Sequence, residues 1–278
     1  MVVSVGHGQV SRIERASSRM GMANDVNTTA ERPSLAEILS RVDTVEGWMS
    51  PDQAAVLHRA AIDCPAGGTI VEIGSFQGRS TIVLALSAAD DVSIVAIDPH
   101  AGNDRGPQEI DGFEHEAADD HEIFLANLAT AGVADRVRYV RAFSDKALQD
   151  VAVPIDVLYI DGAHRYGPAQ RDIGQWGARV SEGGTLLIHD SFSSVGVTLA
   201  IARRLLVGRR FRYVARARSM AIFRVDLDSS TKARASNALH VIAQLPWFAQ
   251  NLGLKVLLSL GLGKLLAKFG KPVPEWPY

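Results

Sequence analysis

From Thr69 onward, short apolar runs alternate with longer stretches whose apolar residues recur at helical spacing. The pairs are Thr69–Ile73 then Arg79–Ala89, Ser93–Ile97 then Asp119–Ala131, Val137–Ala142 then Asp145–Val151, Ile155–Ile160 then Ala169–Val180, and Thr185–Ile188 then Val195–Val207. Several runs, such as Val157-Leu-Tyr-Ile160 and Leu186-Leu-Ile188, are apolar without alternation, the pattern of strands covered on both faces. A parallel sheet with helices on both sides follows. The last two runs, Phe211–Ala215 and Met220–Val225, are joined by only Arg216–Ser219, too short for a crossover, so they predict a hairpin. The expected fold is α/β: a seven-stranded, mostly parallel sheet with an antiparallel last strand, flanked by helices.

Ahead of the first run, Ser50-Pro-Asp-Gln53 has the form of a capping box with proline at the first helical position, predicting a helix to about Ala61. Residues 1–34 are rich in polar residues and glycine without apolar periodicity and read as a disordered leader, residues 35–228 as one domain, and residues 229–278 as a helical extension. In 278 residues, 29 Lys and Arg face 31 Asp and Glu, a net charge of −2 that offers no general attraction for nucleic acid. A single cysteine, Cys64, excludes an intramolecular disulfide framework and a cysteine-built zinc site. No apolar run reaches the roughly 18 residues of a membrane span, so a cytoplasmic location is expected.

Ligands of open α/β sheets sit beyond the carboxyl ends of the strands. Here those ends carry Gly74-Ser-Phe-Gln-Gly78, Asp98-Pro-His100, Ser144-Asp145, Asp161-Gly-Ala-His164 and Asp190-Ser191, so polar groups from separate elements converge on one edge. The glycine turn lacks both the G-x-G-x-x-G dinucleotide fingerprint and the Gly-Lys-Ser/Thr of a P-loop. What it offers is a strand, a glycine turn and a helix start whose free N–H groups suit an anionic group. Asp98 stands at the end of the next strand, where a carboxylate can take two ribose hydroxyls. A nucleoside ligand is expected.

These residues resemble the class I S-adenosylmethionine-dependent methyltransferases, with Glu72–Gly78 as the first motif and the hairpin as their reversed final strand. Gly47-Trp-Met-Ser50, Glu72-Ile-Gly-Ser-Phe-Gln-Gly-Arg-Ser80, Ile160-Asp-Gly-Ala-His-Arg-Tyr166 with Asp172 and Trp176, and Gly183-Gly184 followed by His189-Asp190 resemble more narrowly the group of macrocin-type sugar O-methyltransferases and cephalosporin-hydroxylase-like proteins. The likeness covers about residues 46–225. It implies a Rossmann-like methyltransferase fold and S-adenosyl-L-methionine as cofactor, held by Glu72, Gly74, Ser75, Gly78, Ser80 and Asp98, with Ser144 and Asp145 near the adenine. Asp172, Tyr166 and Trp176 are expected to lock the helix after the site.

An alcohol attacks a sulfonium methyl poorly until it loses its proton, and a histidine or a divalent cation can remove or weaken that proton. The resemblance implies His164 as base, with Asp161 beside it, and a magnesium or manganese site built from Asp161, His189 and Asp190. The chain departs from the metal-dependent pattern at His189, where a carboxylate is usual. Alternation along a strand running through Asp190 would let only one of His189 and Asp190 face the cofactor.

The acidic stretch Ala101–Glu122 is expected to act either as a lid or as a solvated loop, and Arg203–Arg218 as a solvated basic face. Residues 236–278 are Leu-rich with spaced lysines, suiting a membrane surface, a homodimer contact or packing on the domain. The implied activity is transfer of a methyl group to a hydroxyl of a small molecule, a sugar or a glycosylated or lipid-linked metabolite. The alternatives are a noncatalytic cofactor-binding or membrane-associated scaffold and a hydroxylase-like enzyme on the same fold. No base-binding motif or appended module points to nucleic acid.

Overall fold

The computed structural model describes residues 32–102, 114–151, 154–228 and 230–260. The expected leader up to residue 31, most of the acidic lid segment (103–113) and residues 261–278 lie outside the described residues. In chain order the elements are α1 (Leu35–Arg41), α2 (Pro51–Ile62), β1 (Thr69–Ile73), α3 (Arg79–Ser87), β2 (Ser93–Ile97), α4 (Glu114–Thr130), β3 (Val137–Val140), β4 (Ile155–Ile160), α5 (Tyr166–Gln175), β5 (Val180–Ile188), α6 (Val195–Leu205), β6 (Phe211–Ala217), β7 (Met220–Val225), α7 (Thr231–Ile242) and α8 (Leu245–Ser259).

One seven-stranded sheet runs in the order β3-β2-β1-β4-β5-β7-β6. All neighbours pair in parallel except β7, which lies antiparallel between β5 and β6. Successive side chains leave a strand on opposite faces, and both faces are filled. Val71, Ile73, Leu158, Ile160 and Leu186 pack with Ile173 and Trp176 of α5 and with Val197 and Ile201 of α6. Ile70, Ile94, Val157, Tyr159 and Leu187 pack with Leu57 of α2, Ile82 and Leu84 of α3, and Phe124 and Leu128 of α4. This two-sided burial is the reason the strands read as continuous apolar runs.

The capping box forms as expected: the Ser50 hydroxyl accepts from Gln53 N, and Gln53 Oε1 accepts from Ser50 N at 2.8 Å. Two expectations are corrected. The segment after β3 is a single 3₁₀ turn at Ala147–Gln149 and not a helix over 145–151, because Ser144 turns its hydroxyl to Asp172 at 2.5 Å instead of capping a following turn. β5 is longer than its apolar core, starting at Val180, since the bulge opposite Ile155 and Val157 absorbs Ser181–Gly184.

Candidate functional site

β1 and β4 are neighbours from which the chain departs in opposite directions, so a crevice opens at their carboxyl ends. A cavity of about 560 Å³ fills it, lined from the ends of β1, β2 and β4 and from the segments that follow β1 to β5. Gly74 has φ +87°, and a Cβ there would lie 2.2 Å from the Asp161 carbonyl oxygen. Only glycine lets the turn after β1 approach the end of β4 so closely.

The floor next to this turn is organised by Asp98. Its Oδ2 accepts from the backbone N–H groups of Ser75 and Phe76 at 2.9 and 3.0 Å, and its Oδ1 from His100 N at 2.8 Å. Both lone pairs of Oδ2 are taken by those two N–H groups, and Oδ1 keeps one for a ligand hydroxyl. The Ser75 hydroxyl is buried at the cavity wall with no partner among the described residues. An orphaned hydroxyl beside a glycine cradle fits a polar ligand with its own hydrogen-bonding groups. Phe143, half exposed and lining the cavity next to Ser144 and Asp145, offers a flat apolar face on that side.

Of the expected cofactor residues, Gly74, Ser75, Ser80, Asp98, Ser144 and Asp145 line the cavity, whereas Glu72 and Gly78 do not. Glu72 is fully buried below the turn and accepts hydrogen bonds from the Ser80 and Thr81 hydroxyls of α3. Burial pushes its carboxyl up to about 8, against those hydroxyls. Gly78 sits at the N-terminus of α3 with φ +90°, facing the Phe124 ring. Asp172, pushed by burial up to about 6, and Trp176, whose indole N–H donates to the Ser144 carbonyl at 3.2 Å, fasten α5 to the loop after β3.

The opposite wall carries the titratable groups. β5 ends at Ile188, and Asp190 takes φ +52°, so strand alternation stops before it. The strand does not run through Asp190, so the condition under which only one of the pair could face the cavity is not met, and His189 and Asp190 both line it. Asp190 Oδ2 lies 2.9 Å from His164 Nε2. His189 Nδ1 lies 3.0 Å from Asp161 Oδ1 and 3.6 Å from Asp190 Oδ2, without an aligned hydrogen bond to either. Asp161 Oδ2 accepts from the Tyr159 hydroxyl at 2.7 Å. Burial opposes a charge on His164, but Asp190 and then Asp161 outweigh it and raise its pKa above the ordinary imidazole value. Asp190 is held well below the usual carboxylate range: its burial is outweighed by His189 and by the hydrogen bond from His164. This is the arrangement of a base with its orienting carboxylate.

The side chains of Asp161, His189 and Asp190 do not fit a metal cage as they stand. A coordinating imidazole presents a lone pair, while His189 Nδ1 faces two carboxylates and its Nε2 faces the Gln53 amide nitrogen at 3.2 Å. Among the described residues, no group of three or more His, Cys, Asp or Glu side chains is disposed to hold a metal ion.

Several residues lining the cavity were not singled out for a role by sequence patterns. Trp48 stacks near Phe76, ring centroids 5.3 Å apart, at the rim of the cavity. Lys255 and Leu252 reach in from α8, with Lys255 Nζ donating to the Ser193 carbonyl at 3.1 Å. The Gly47-Trp48 pair is a signal that was present in the resemblance, but nothing in the spacing of α8 points to the site.

Residues 71–191 match a family described as a methyltransferase domain. Among solved structures, a Corynebacterium glutamicum protein shares 14% identity at a TM-score of 0.52, covering 72% of this chain and 93% of its own. An O-methyltransferase from Bacillus cereus in complex with S-adenosylhomocysteine shares 18% identity at a TM-score of 0.47, covering 71% of this chain and 94% of its own. TomG, an O-methyltransferase of tomaymycin synthesis from Streptomyces achromogenes, shares 19% at 0.46, covering 78% and 98%.

Proposed function

We propose that this protein, whose residues 71–191 match a methyltransferase domain family, transfers a methyl group from S-adenosylmethionine to a hydroxyl of a small molecule, with His164 as the base. The observation that carries the reading is the 2.9 Å contact between His164 Nε2 and Asp190 Oδ2 on the cavity wall facing the glycine turn. S-adenosylmethionine, when bound, supplies an electrophilic methyl group whose transfer leaves S-adenosylhomocysteine.

Gly74, Ser75 and Ser80 would hold the amino-acid end, Asp98 the ribose hydroxyls, and Ser144, Asp145 and Phe143 the base. The orphaned Ser75 hydroxyl and the spare lone pair on Asp98 Oδ1 support this assignment. His164 donates its Nε2 proton to Asp190, which leaves Nδ1 as the atom that takes the acceptor's hydroxyl proton. The oxygen–carbon bond forms as the carbon–sulfur bond breaks, and the proton ends on His164 until solvent removes it. Asp190 stabilises the imidazolium so produced.

Trp48, Phe76, Leu252 and Lys255 line the cavity beside this wall. An aromatic face with a cation nearby supports an acceptor that is a sugar or a glycosylated metabolite. The exposed apolar side chains Leu239, Ile242 and Val256 of α7 and α8 support a lipid-linked acceptor or a second copy of the chain as their cover. No helix among the described residues is long and apolar enough to cross a membrane. Sedimentation with anionic vesicles, and of the protein alone, separates those two.

The test is a thermal shift with S-adenosylhomocysteine on wild type and Asp98→Ala. Saturation near 100 times Kd adds about 2.7 kcal/mol, and the shift is expected to vanish in the variant. No shift for wild type would sink the methyltransferase reading and leave a noncatalytic scaffold. With an acceptor found by screening hydroxylated small molecules for S-adenosylhomocysteine release, His164→Ala is expected to cut turnover by roughly 10²–10⁴ with cofactor affinity unchanged.

A further inference from the structure

His189 is a buried side chain of this wall that the methyl transfer does not use, and it stands between two carboxylates that follow different strands. We propose that His189, held by Gln53, closes the Asp161–Asp190 pair to divalent cations and sets an N–H where a bridging metal would sit, making the protein a metal-independent methyltransferase. The catalytic half of this statement rests on the function proposed above; the closing of the site rests on geometry alone.

The proton on His189 is located by its neighbour. Gln53 Oε1 is committed to the Ser50 backbone N–H at 2.8 Å, which fixes the orientation of the amide. Gln53 Nε2 therefore presents its hydrogens, one to the Ser219 hydroxyl at 3.0 Å and one toward His189 Nε2 at 3.2 Å. His189 Nε2 must then offer a lone pair, and the ring's proton sits on Nδ1, between Asp161 Oδ1 at 3.0 Å and Asp190 Oδ2 at 3.6 Å. The carboxylates favour that proton as well, so both sides of the ring agree that Nδ1 carries one. A nitrogen that carries a proton has no lone pair for a metal. The other nitrogen is turned away from the carboxylates and shut in against Gln53, itself buried.

One oxygen of each carboxylate is taken by a protein donor, while Asp190 Oδ1 is buried without a partner among the described residues. Asp161 takes the Tyr159 hydroxyl at 2.7 Å on its other oxygen, and Asp190 takes His164 at 2.9 Å. Magnesium needs several oxygen ligands at about 2.0–2.1 Å in near-octahedral array. To enter here it would have to displace the imidazole ring and uncouple the base from its carboxylate.

The experiment is carried out on the full chain with selectively ¹⁵N-histidine-labelled protein, the His189 signals being assigned by their loss in His189→Gln. MgCl₂ and MnCl₂ are added alone, first without and then with S-adenosylhomocysteine. The expected result is an Nδ1-protonated ring whose signals survive stoichiometric Mn²⁺, with no heat of metal binding by calorimetry. Bleaching of the His189 signals by stoichiometric Mn²⁺, or turnover lost to a chelator and restored by magnesium, would overturn the proposal. His189→Asp is expected to bind Mn²⁺ at least roughly tenfold more tightly than wild type; equal or weaker binding in a folded variant would count against it. Gln53→Met is expected to move the His189 nitrogen shifts toward a mixture of tautomers, whereas a merely packing role for Gln53 would leave them in place. Failure of S-adenosylhomocysteine to bind, with cations still excluded, would remove the methyltransferase reading and leave the closed site standing.

Discussion

His164 follows β4 and Asp190 follows β5, and their 2.9 Å contact decides which imidazole nitrogen can act on an acceptor. Because the pair raises the His164 pKa, the base is in its working, neutral form only above the ordinary imidazole value. The kcat/KM profile is expected to rise with pH through a limb above about 6.5. Asp190→Asn is expected to move that limb down and lower the maximum. A wild-type limb at or below the free imidazole value would contradict the pairing. The same shift has a stability consequence of fixed sign. Its contribution is complete below the unfolded pKa and is lost as pH rises through the higher folded value. His164 and Asp190 were each legible as members of the polar edge from the strand ends that carry them, and both line the cavity. Their pairing was not, because Asp190 leaves the strand with a left-handed backbone that no alternation rule anticipates.

At the scale of elements, β1 and α3 are joined beneath the glycine turn by a buried carboxyl. Glu72 reads in the sequence as part of a binding motif, yet it lies below the cavity, tied to Ser80 and Thr81. With its pKa pushed up to about 8 by burial, it is neutral when folded near pH 7 and ionised when unfolded. Its contribution is complete below the unfolded carboxyl value and falls as pH rises towards 8. Glu72→Gln is expected to flatten part of the loss of stability between pH 5 and 8, read from urea midpoints, while changing cofactor affinity little. At the turn itself, Gly74→Ala would put a methyl against the Asp161 carbonyl and force a non-glycine residue to φ +87°. The backbone strain alone costs about 1–3 kcal/mol, and cofactor binding is expected to fall with it, as a thermal shift would show. The strands at these turns could be read from their apolar runs because both faces are covered. The segment after β3 misled, since its polar start could cap a helix or bind a neighbour, and only the position of Asp172 made it do the second.

At the scale of the molecule, α8 returns across the domain to the acceptor side of the cavity. Asn251 donates to the buried Phe192 carbonyl at 3.1 Å, Lys255 to the Ser193 carbonyl at 3.1 Å, and Arg216 lies 3.8 Å above the Trp247 ring. Asn251→Ala would leave the Phe192 carbonyl unpaired and is expected to cost about 1–3 kcal/mol in chemical denaturation. Lys255→Met is expected to raise KM for the acceptor while leaving S-adenosylhomocysteine affinity unchanged; a change in cofactor affinity alone would exclude α8 from the acceptor side. The mostly parallel sheet, its reversed last strand and the polar edge at the strand ends were readable from the chain, because they depend on local periodicity and on the short link between the last two runs; the strand order that opens the crevice between β1 and β4 was not. The His164–Asp190 pair, the Gln53 amide behind His189, and Lys255 over the site join residues from separate strands and helices. Such contacts carry no period in the sequence. They exist only once the sheet has fixed the distances between its strand ends and the C-terminal helix has packed across them.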